Sequence, residues 1–370
     1  MFKITAEDGN ARIGKLKTRH GIIETPFFMP VATRAVGKYI GTEDYKKIGV
    51  NAIISNSLVL SFNPSLEVIK KAGGIHKFMN FNKVIFTDCG GFQVSRNSFS
   101  SKQVEKGIYF KNPYDKSNHF ITPKRSMEIQ QTIKSDVAVS FDDMAPYGSN
   151  KKRFEKAVEK THHWAKESLK YHKDKKQLLF GISQGGFHKD LRKKSARDIN
   201  SLDFDGVAIG GVAIGEPKNE MYLAIKSALP EISKNKPRYV MGVGSPQDIV
   251  EMISLGIDCF DSIFPASNGR HGTMFTSKGK LNINKGMYKL DLSSIDKNCN
   301  CFTCKNYSKS YIRHLSMIKE PEGMRLKTIH NLQFMMNLIK KIKIAIKNKK
   351  LNKFKKNFYK YYPLKVKNES

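Results

Sequence analysis

The chain has 370 residues, of which 39% are hydrophobic and 26% are charged, and its formal net charge is +32. No apolar run approaches the roughly 20 residues of a membrane span, and the N-terminus lacks the apolar core of a signal peptide. Five cysteines, three of them in one cluster, argue against a disulfide scaffold and favour a cytoplasmic protein. The positive charge favours a polyanionic partner, although a lysine-biased genome would account for part of it.

Short apolar runs rich in β-branched residues alternate with helical patterns along the chain. Helical patterns lie at 153–172, 189–200, 218–228 and 246–255. Eight apolar runs predict buried parallel strands, at 27–31, 52–55, 84–87, 137–141, 178–182, 207–209, 239–243 and 257–260. Eight strands separated by helices predict an α/β fold, most simply a (β/α)8 barrel.

Polar or glycine residues end six of the eight predicted strands. Active sites of such barrels lie at the carboxyl ends of the strands, so these residues are expected to meet at one mouth. The six strand ends are Asn56, Asp88, Asp142, Gln184, Gly210–Gly211 and Asp261.

The third strand end combines a carboxylate with a glycine pair. Asp88 precedes Gly90 and Gly91, which allow a backbone to approach a ligand closely, and Phe92, whose ring would suit a flat ligand. By itself this pattern is equally typical of a glycine-rich turn with a capping aspartate. Asp142 and its neighbour Asp143 form a pair that would bind either a metal ion or the N–H edge of a heterocycle.

The glycine-rich segments 181–186 and 210–216 place backbone N–H groups beside an amide and a carboxylate. Neither segment matches a phosphate-binding motif, so a planar base is the better ligand. Asp261 lies in a segment with cationic and small residues. A nucleophilic aspartate and a second acid are the groups needed for double displacement at an anomeric carbon.

A cysteine cluster follows the eighth predicted strand. Cys299, Cys301 and Cys304 are followed by His330, with twenty-five residues between the last two. Three thiolates and one imidazole complete the tetrahedral shell of a structural zinc ion, and a predicted helix at about 324–346 would carry the histidine.

The C-terminal segment interleaves lysines with aromatic residues, and no acidic residue occurs between Gly323 and Asn368. This composition suits single-stranded nucleic acid, and it is equally typical of a solvated helix end.

Together and in this order, the motifs resemble the tRNA-guanine transglycosylases of the bacterial and eukaryotic queuosine type. The resemblance extends from about residue 11 to residue 346 and includes the segments 73–79 and 238–244. It implies a homodimeric zinc-bearing barrel that exchanges guanine-34 of tRNA anticodons for a 7-deazaguanine base. The barrel would span 1–348, with a zinc-binding part at about 281–330, and 349–370 would form a basic tail.

The resemblance also implies residue roles. Asp261 would attack C1′ and hold the RNA covalently, while Asp88, with a pKa raised by burial, would protonate the leaving guanine and deprotonate the incoming base. The base would be bound by Asp142, Gln184, Gly211, Phe92, Met241 and Asn56. Arg270 would contact tRNA, and zinc would be held by Cys299, Cys301, Cys304 and His330.

Three positions depart from the family pattern, but none is a catalytic acid. Ala266 and Ser267 replace the usual Thr-Arg, Asn56 lacks the Tyr-His that usually follows, and Cys89 replaces a serine. These changes suggest altered tRNA choice or a divergent paralogue.

The base pocket also differs from that of a typical member. Ile214 favours the precursor 7-aminomethyl-7-deazaguanine over queuine, and Met144 replaces a small residue. Two alternatives stay open: a catalytically silent RNA-binding paralogue, and a transglycosylase that inserts deazapurines into DNA.

Overall fold

The computed structural model describes residues 2–91 and 101–364. Its central sheet has eight parallel strands and closes on itself, because Val31 bridges to Ile54 and the Ala32 N–H donates to the Ile54 carbonyl at 2.8 Å. The predicted (β/α)8 barrel is therefore confirmed. The barrel strands are Phe27–Met29, Ala52–Asn56, Val84–Asp88, Val137–Val139, Leu178–Ser183, Gly206–Ile209, Arg238–Val240 and Cys259–Asp261.

Three barrel strands end earlier than their apolar runs. The first ends at Met29, although its run continues to Val31, which forms an isolated bridge to Ile54. The fourth ends at Val139 and the seventh at Val240, whereas the runs continue to Phe141 and Val243. Both of these later residues are buried. Burial, and not strand pairing, therefore accounts for the apolar residues at the ends of these two runs.

Helices pack around the barrel, and the two predicted at 189–200 and 218–228 have the predicted bounds. The α-helices are Thr42–Ile48, Ser57–Leu60, Leu66–Lys71, Ile75–Phe78, Pro123–Ile133, Lys151–Tyr171, Lys189–Asn200, Lys218–Ala228, Pro246–Ser254, Phe264–Arg270, Phe302–Asn306, Lys309–Met317, Pro321–Lys347 and Leu351–Tyr359. A π-helical turn spans Ser61–Ser65, and 3-10 turns span Leu229–Glu231 and Gly286–Tyr288. Across residues 2–91 and 101–364, none of the helices has the length and apolarity that a membrane span requires.

The helix Lys151–Tyr171 shows why these segments are helical. Asn150 caps Lys151–Tyr171 by accepting the Arg153 N–H at 2.9 Å. Its buried residues recur every three or four positions from Phe154 to Ser168 and include Trp164, which packs against Phe141. This amphipathic pattern holds the helix against the outside of the barrel.

Three small antiparallel sheets lie outside the barrel. Their strands are Phe2–Asp8, Ala11–Thr18 and Gly21–Glu24 in the first, Lys102–Gln103, Ile108–Lys111 and Asn118–Ile121 in the second, and Thr273–Thr276 and Gly279–Asn282 in the third. The third sheet belongs to the insertion that carries the cysteine cluster, between the eighth strand and the last long helix.

The C-terminal helix Leu351–Tyr359 packs against the barrel. Tyr359 donates a hydrogen bond to Glu251 at 2.8 Å, and the buried Tyr362 hydroxyl donates to the Thr276 carbonyl at 2.8 Å. Phe358 stacks on Tyr362 with ring centroids 4.9 Å apart. These aromatic rings therefore face the protein, which leaves the lysines of the segment as its main contribution to the surface.

Candidate active site and metal centre

Asp261 ends the eighth barrel strand and lies at the barrel mouth. Its Oδ1 accepts hydrogen bonds from the Tyr239 hydroxyl at 2.6 Å and from the Gly242 N–H at 3.0 Å. Gly242 has φ +78°, a left-handed conformation that glycine adopts without strain. Burial raises the pKa of Asp261, and the bonds from Tyr239 and Gly242 act against that rise. Both bonds fall on one oxygen and stabilise the ionised form.

Asp88 ends the third strand and pairs in register with Asn56 of the second. The Asn56 amide nitrogen donates to Asp88 Oδ2 at 3.1 Å, while its oxygen accepts the Val59 N–H at 2.8 Å. Burial raises the pKa of Tyr239 well above its ordinary value, and the charges of Asp261 and Asp88 raise it further. The carboxylates of Asp88 and Asp261 therefore act on the same phenol.

Asp142 is buried between two donors. Its Oδ2 accepts the Gln184 side-chain N–H at 2.6 Å, and its Oδ1 accepts the Cys89 S–H at 3.3 Å. Burial raises the pKa of Asp142 to about 6, with the charge of Asp143 adding to the rise and both donors opposing it. The carboxylate is consequently ionised at neutral pH and close to titration.

The neighbouring Asp143 has a different environment. Its two oxygens accept hydrogen bonds from Arg153 at 2.6 and 3.0 Å, and its N–H donates to Thr161 at 3.0 Å. The pair Asp142–Asp143 therefore does not present two carboxylates to one metal ion.

The loop after the sixth strand approaches Gln184 closely. A side chain at Gly211 would place its Cβ 2.3 Å from Gln184 Oε1, so this position requires glycine. Glu216 holds the rest of the loop by accepting the N–H groups of Ala213 at 2.5 Å and Ile214 at 2.8 Å. The loop therefore presents backbone groups beside the Gln184 amide.

Met241 and Arg270 are the remaining predicted site residues that the structure describes. Met241 follows the seventh strand directly and is partly buried against the core. Arg270 ends the helix Phe264–Arg270 and, with Arg34 and Lys38, lines a cavity of about 510 Å³. Phe92 lies outside the described residues.

Cys299, Cys301, Cys304 and His330 meet, as predicted, in one group that can bind a metal ion. Their four ligand atoms lie within 4.8 Å of one another. His330 Nδ1 faces the sulfurs of Cys304 at 3.2 Å and Cys301 at 3.5 Å, while Nε2 bonds the Phe275 carbonyl at 2.8 Å. Such a carbonyl contact fixes the tautomer that leaves Nδ1 free for a metal. Three thiols and this nitrogen fit a closed tetrahedral shell.

A second group of ligand types, His20, His76 and Asp136, lies at the opposite end of the barrel. The two imidazole rings stack with centroids 3.5 Å apart and planes inclined by 20°. A ring nitrogen binds a metal through a lone pair in the ring plane, so stacked rings cannot both direct a nitrogen at one ion. Asp136 instead accepts the N–H groups of His20 and Ile85, each at 2.9 Å, which makes it a structural anchor.

Two residues near the site were not predicted. Tyr239 lies within an apolar strand, and Arg192 lies in a helix with several other cationic residues, so their sequence context suggests core and surface positions respectively. The structure instead places Tyr239 against Asp261 and buries Arg192 beneath the loops that carry Gln184 and Gly211. A sequence signal was available only for Tyr239, whose polar hydroxyl within a buried strand requires a partner.

A closed (β/α)8 barrel with carboxylates at its mouth and a Cys3His group in an insertion defines a barrel enzyme with an accessory metal-binding region. The family model described as queuine tRNA-ribosyltransferase matches residues 7–364. The proteins of that name from Thermoanaerobacter sp. (strain X514) and Caldanaerobacter subterraneus subsp. tengcongensis are 47% and 45% identical, each over 95% of this chain and 94% of their own. The one from Listeria innocua is 43% identical over 97% of this chain and 95% of its own.

The chain therefore belongs to the queuine tRNA-ribosyltransferase family, and the resemblance drawn from its motifs is confirmed. Membership makes it a pentosyltransferase. The names of these relatives favour an active enzyme over the catalytically silent paralogue.

Proposed function

We propose that this protein exchanges guanine-34 of tRNA anticodons for a 7-deazaguanine base in queuosine synthesis. The observation that carries the proposal is the arrangement of Asp261 and Asp88 around the buried Tyr239 at the mouth of the barrel. Asp261 accepts two hydrogen bonds that favour its ionised form, which a nucleophile needs, and the charge of Asp88 acts on the same Tyr239 hydroxyl. Exchange by double displacement requires these two groups.

In the proposed first step, Asp261 Oδ2 attacks C1′ of the guanosine, because Oδ1 is engaged by Tyr239 and Gly242. The C1′–N9 bond breaks as the C1′–O bond forms, and Asp88 gives its proton to the departing guanine. In the second step Asp88 takes the proton of the incoming base, whose nitrogen attacks C1′ and releases Asp261. Asn56 orients Asp88 through the 3.1 Å hydrogen bond.

Base recognition falls to groups that surround one planar site. Asp142 and the Gln184 amide would bind the polar edges, with the backbone at Gly211. Met241 and Phe92 would cover the two faces. The nucleotide must be turned out of its loop to reach this site, which is least costly in a single-stranded anticodon.

We further propose the precursor 7-aminomethyl-7-deazaguanine as the preferred base over queuine. Ile214 supports this preference, because its branched side chain lines the same small cavity as Gly211 and occupies space beside the base-binding loop. Met144, which replaces a small residue of the family pattern, is half-buried two positions after Asp142. A comparison of the two bases as substrates tests the preference, which fails if queuine is incorporated faster.

The tRNA would be bound by the cationic mouth of the barrel. Arg34, Lys38 and Arg270 line a cavity whose wall also includes Ala266, close in sequence to Asp261. Cations at this position suit the phosphates that flank the reacting nucleotide. A polyanionic substrate also agrees with the sign of the net charge of +32.

Zinc is the proposed metal at Cys299, Cys301, Cys304 and His330, with a structural role, because all four positions of its shell are protein ligands. The ion would join the insertion to the helix Pro321–Lys347, which carries His330. The proposed division is a barrel domain at 1–348, with the zinc-binding part at about 281–330, and a C-terminal segment at 349–370.

A cytoplasmic homodimer is also proposed. The metal-binding region exposes three large apolar side chains, Met287, Leu290 and Leu292, which are 73%, 87% and 81% exposed. Contiguous exposed apolar surface is typical of an interface. Analytical ultracentrifugation tests the dimer, and Leu290→Asp is expected to shift it to monomer. A wild-type protein that sediments as a monomer at micromolar concentration would contradict the proposal.

The decisive experiment offers radiolabelled guanine with either unmodified tRNA or duplex DNA. Label is expected in tRNA alone, and label in DNA alone would favour the DNA-modifying alternative. In parallel, an RNA adduct that resists denaturation is expected with the wild type and not with Asp261→Asn, which keeps the shape of the side chain. An adduct that survives this change would refute the nucleophile assignment.

A further inference from the structure

The helix Lys189–Asn200 buries an arginine beneath the base-binding loops. Arg192 is fully buried, and within residues 2–91 and 101–364 no carboxylate lies at ion-pair distance from it. Burial lowers the pKa of Arg192 to about 10, and the charge of Glu216 opposes that change, so the guanidinium stays charged at neutral pH. A buried cation without a bonded anion is costly. The hydrogen bonds of Arg192 are therefore expected to serve a role besides stabilising the fold.

All of the Arg192 hydrogen bonds go to backbone carbonyls at the end of the fifth strand and in the loops after the fifth and sixth strands. Arg192 Nη1 donates to the carbonyls of Ser183 at 3.2 Å and Gly210 at 2.9 Å. Its Nε and Nη2 donate to the Gly186 carbonyl at 3.0 and 2.8 Å. Ser183 directly precedes Gln184. Gly210 directly precedes Gly211, which lies against the Gln184 side chain. The guanidinium group of Arg192 thus hydrogen-bonds to the chain segments that follow both the fifth and the sixth strands.

The same face of the helix makes a second contact with the first loop. Ser195 Oγ, three residues after Arg192, accepts the backbone N–H of Gln184 at 2.9 Å. The Gln184 side chain then donates to Asp142 at 2.6 Å. The fit between the loops is close, because a Cβ at Gly211 would meet Gln184 Oε1 at 2.3 Å. A small change in loop separation would therefore displace the Gln184 amide.

We propose that Arg192 is a positioning residue that fixes the separation between Gln184 and Gly211, and so affects the affinity for the free base much more than the affinity for tRNA, which also contacts the cationic residues of the barrel mouth. This inference rests on the proposed exchange reaction, in which both residues bind the base. Arg192 itself touches no substrate and acts through the two loops. Lysine cannot replace it, because an ammonium group lacks the planar array of donors that reaches three carbonyls at fixed angles.

The test compares Arg192→Lys with Arg197→Lys in labelled-guanine exchange with tRNA. Arg197 lies on the same helix, is 68% exposed and pairs with Glu231 on the surface, so it is a matched control. For Arg192→Lys the KM for guanine is expected to rise about tenfold, with the KM for tRNA changed less than about twofold and kcat less affected than KM. The control should leave all three constants unchanged.

The outcomes separate this inference from the proposed function. If the wild type transfers no label to tRNA, the proposed function fails and this inference fails with it. If the wild type is active and Arg192→Lys lowers only the melting temperature or the active fraction, with KM for guanine unchanged, Arg192 is merely structural and this inference alone is overturned. Should Arg192→Lys not fold, Ser195→Ala removes the acceptor of the Gln184 N–H and is expected to raise the KM for guanine in the same direction. An unchanged KM in that variant also overturns the inference.

Discussion

Replacing Tyr239 with phenylalanine tests how the nucleophile is held. Tyr239 is fully buried in the seventh strand, and its hydroxyl donates the 2.6 Å hydrogen bond to Asp261 Oδ1. Phenylalanine keeps the ring and removes the hydroxyl, so Asp261 retains only the Gly242 N–H. No donor is left without a partner, and the variant is expected to fold.

The size of the effect follows from the energy of a hydrogen bond to a charged group, about 1.5–3 kcal/mol. One pKa unit corresponds to about 1.4 kcal/mol, so the loss should move the acidic limb of the kcat–pH profile by at least about one pH unit. The direction is upward. Burial already raises the pKa of Asp261 and the Tyr239 bond opposes that rise, so removing the bond raises the pKa further. The ionised form, which must attack, is then lost at a higher pH.

The assay is the initial rate of labelled-guanine exchange with saturating tRNA, measured across the acidic limb of the wild-type kcat–pH profile. Tyr359→Phe is the matched control, because it removes a 2.8 Å hydrogen bond to the carboxylate of Glu251 outside the site. The control should keep the wild-type profile. An acidic limb of Tyr239→Phe that stays in place or moves to lower pH would refute the role given to Tyr239.

Three further outcomes are expected. Because burial raises the pKa of Asp142 to about 6, the KM for guanine should rise as the pH falls from 7 to 5, and Asp142→Asn should abolish that dependence; a KM independent of pH in the wild type would contradict it. Metal analysis should find about one zinc per chain, with Cys301→Ser losing the metal and lowering the melting temperature; a wild type free of zinc when purified without chelators would exclude the metal site. Burial opposes the ionisation of Asp136, but the hydrogen bond and charge of His76 prevail and lower the pKa of Asp136 to about 2. The ionised Asp136 therefore stabilises the folded protein by about 2 kcal/mol, and this contribution is complete above about pH 4 and lost as the pH falls toward 2. Urea unfolding of Asp136→Asn should therefore differ from wild type most at neutral pH, and a difference that does not shrink in acid would count against this account.

The departures from the family pattern have a local explanation in one case. Cys89 stands where the resemblance leads us to expect serine, and its S–H donates to Asp142 as a serine hydroxyl would. No interaction of Ala266 or Ser267 with the described part of the chain replaces those expected of the usual Thr-Arg pair. The nearby cations Arg34 and Lys38 nevertheless keep the cavity beside Ala266 positively charged.

The sequence by itself determined the barrel, the strand ends at its mouth and the metal-binding group. Buried strands and amphipathic helices are patterns of neighbouring residues, and parallel strands bring their carboxyl ends to one edge whatever the loops do. The spacing of Cys299, Cys301 and Cys304 is also local, and only His330 had to be brought from a distant helix.

Only the tertiary structure decided which groups act on these residues. Tyr239 donates a hydrogen bond to Asp261 on the neighbouring strand, and Arg153 donates to Asp143. Arg192 hydrogen-bonds to the loops after the fifth and sixth strands. Each contact depends on the closure and stagger of the barrel and on side-chain directions, none of which leaves a periodic trace in the sequence. The physical reason is the same in each case: a buried polar group must find a partner, and the closed barrel determines which partner is near.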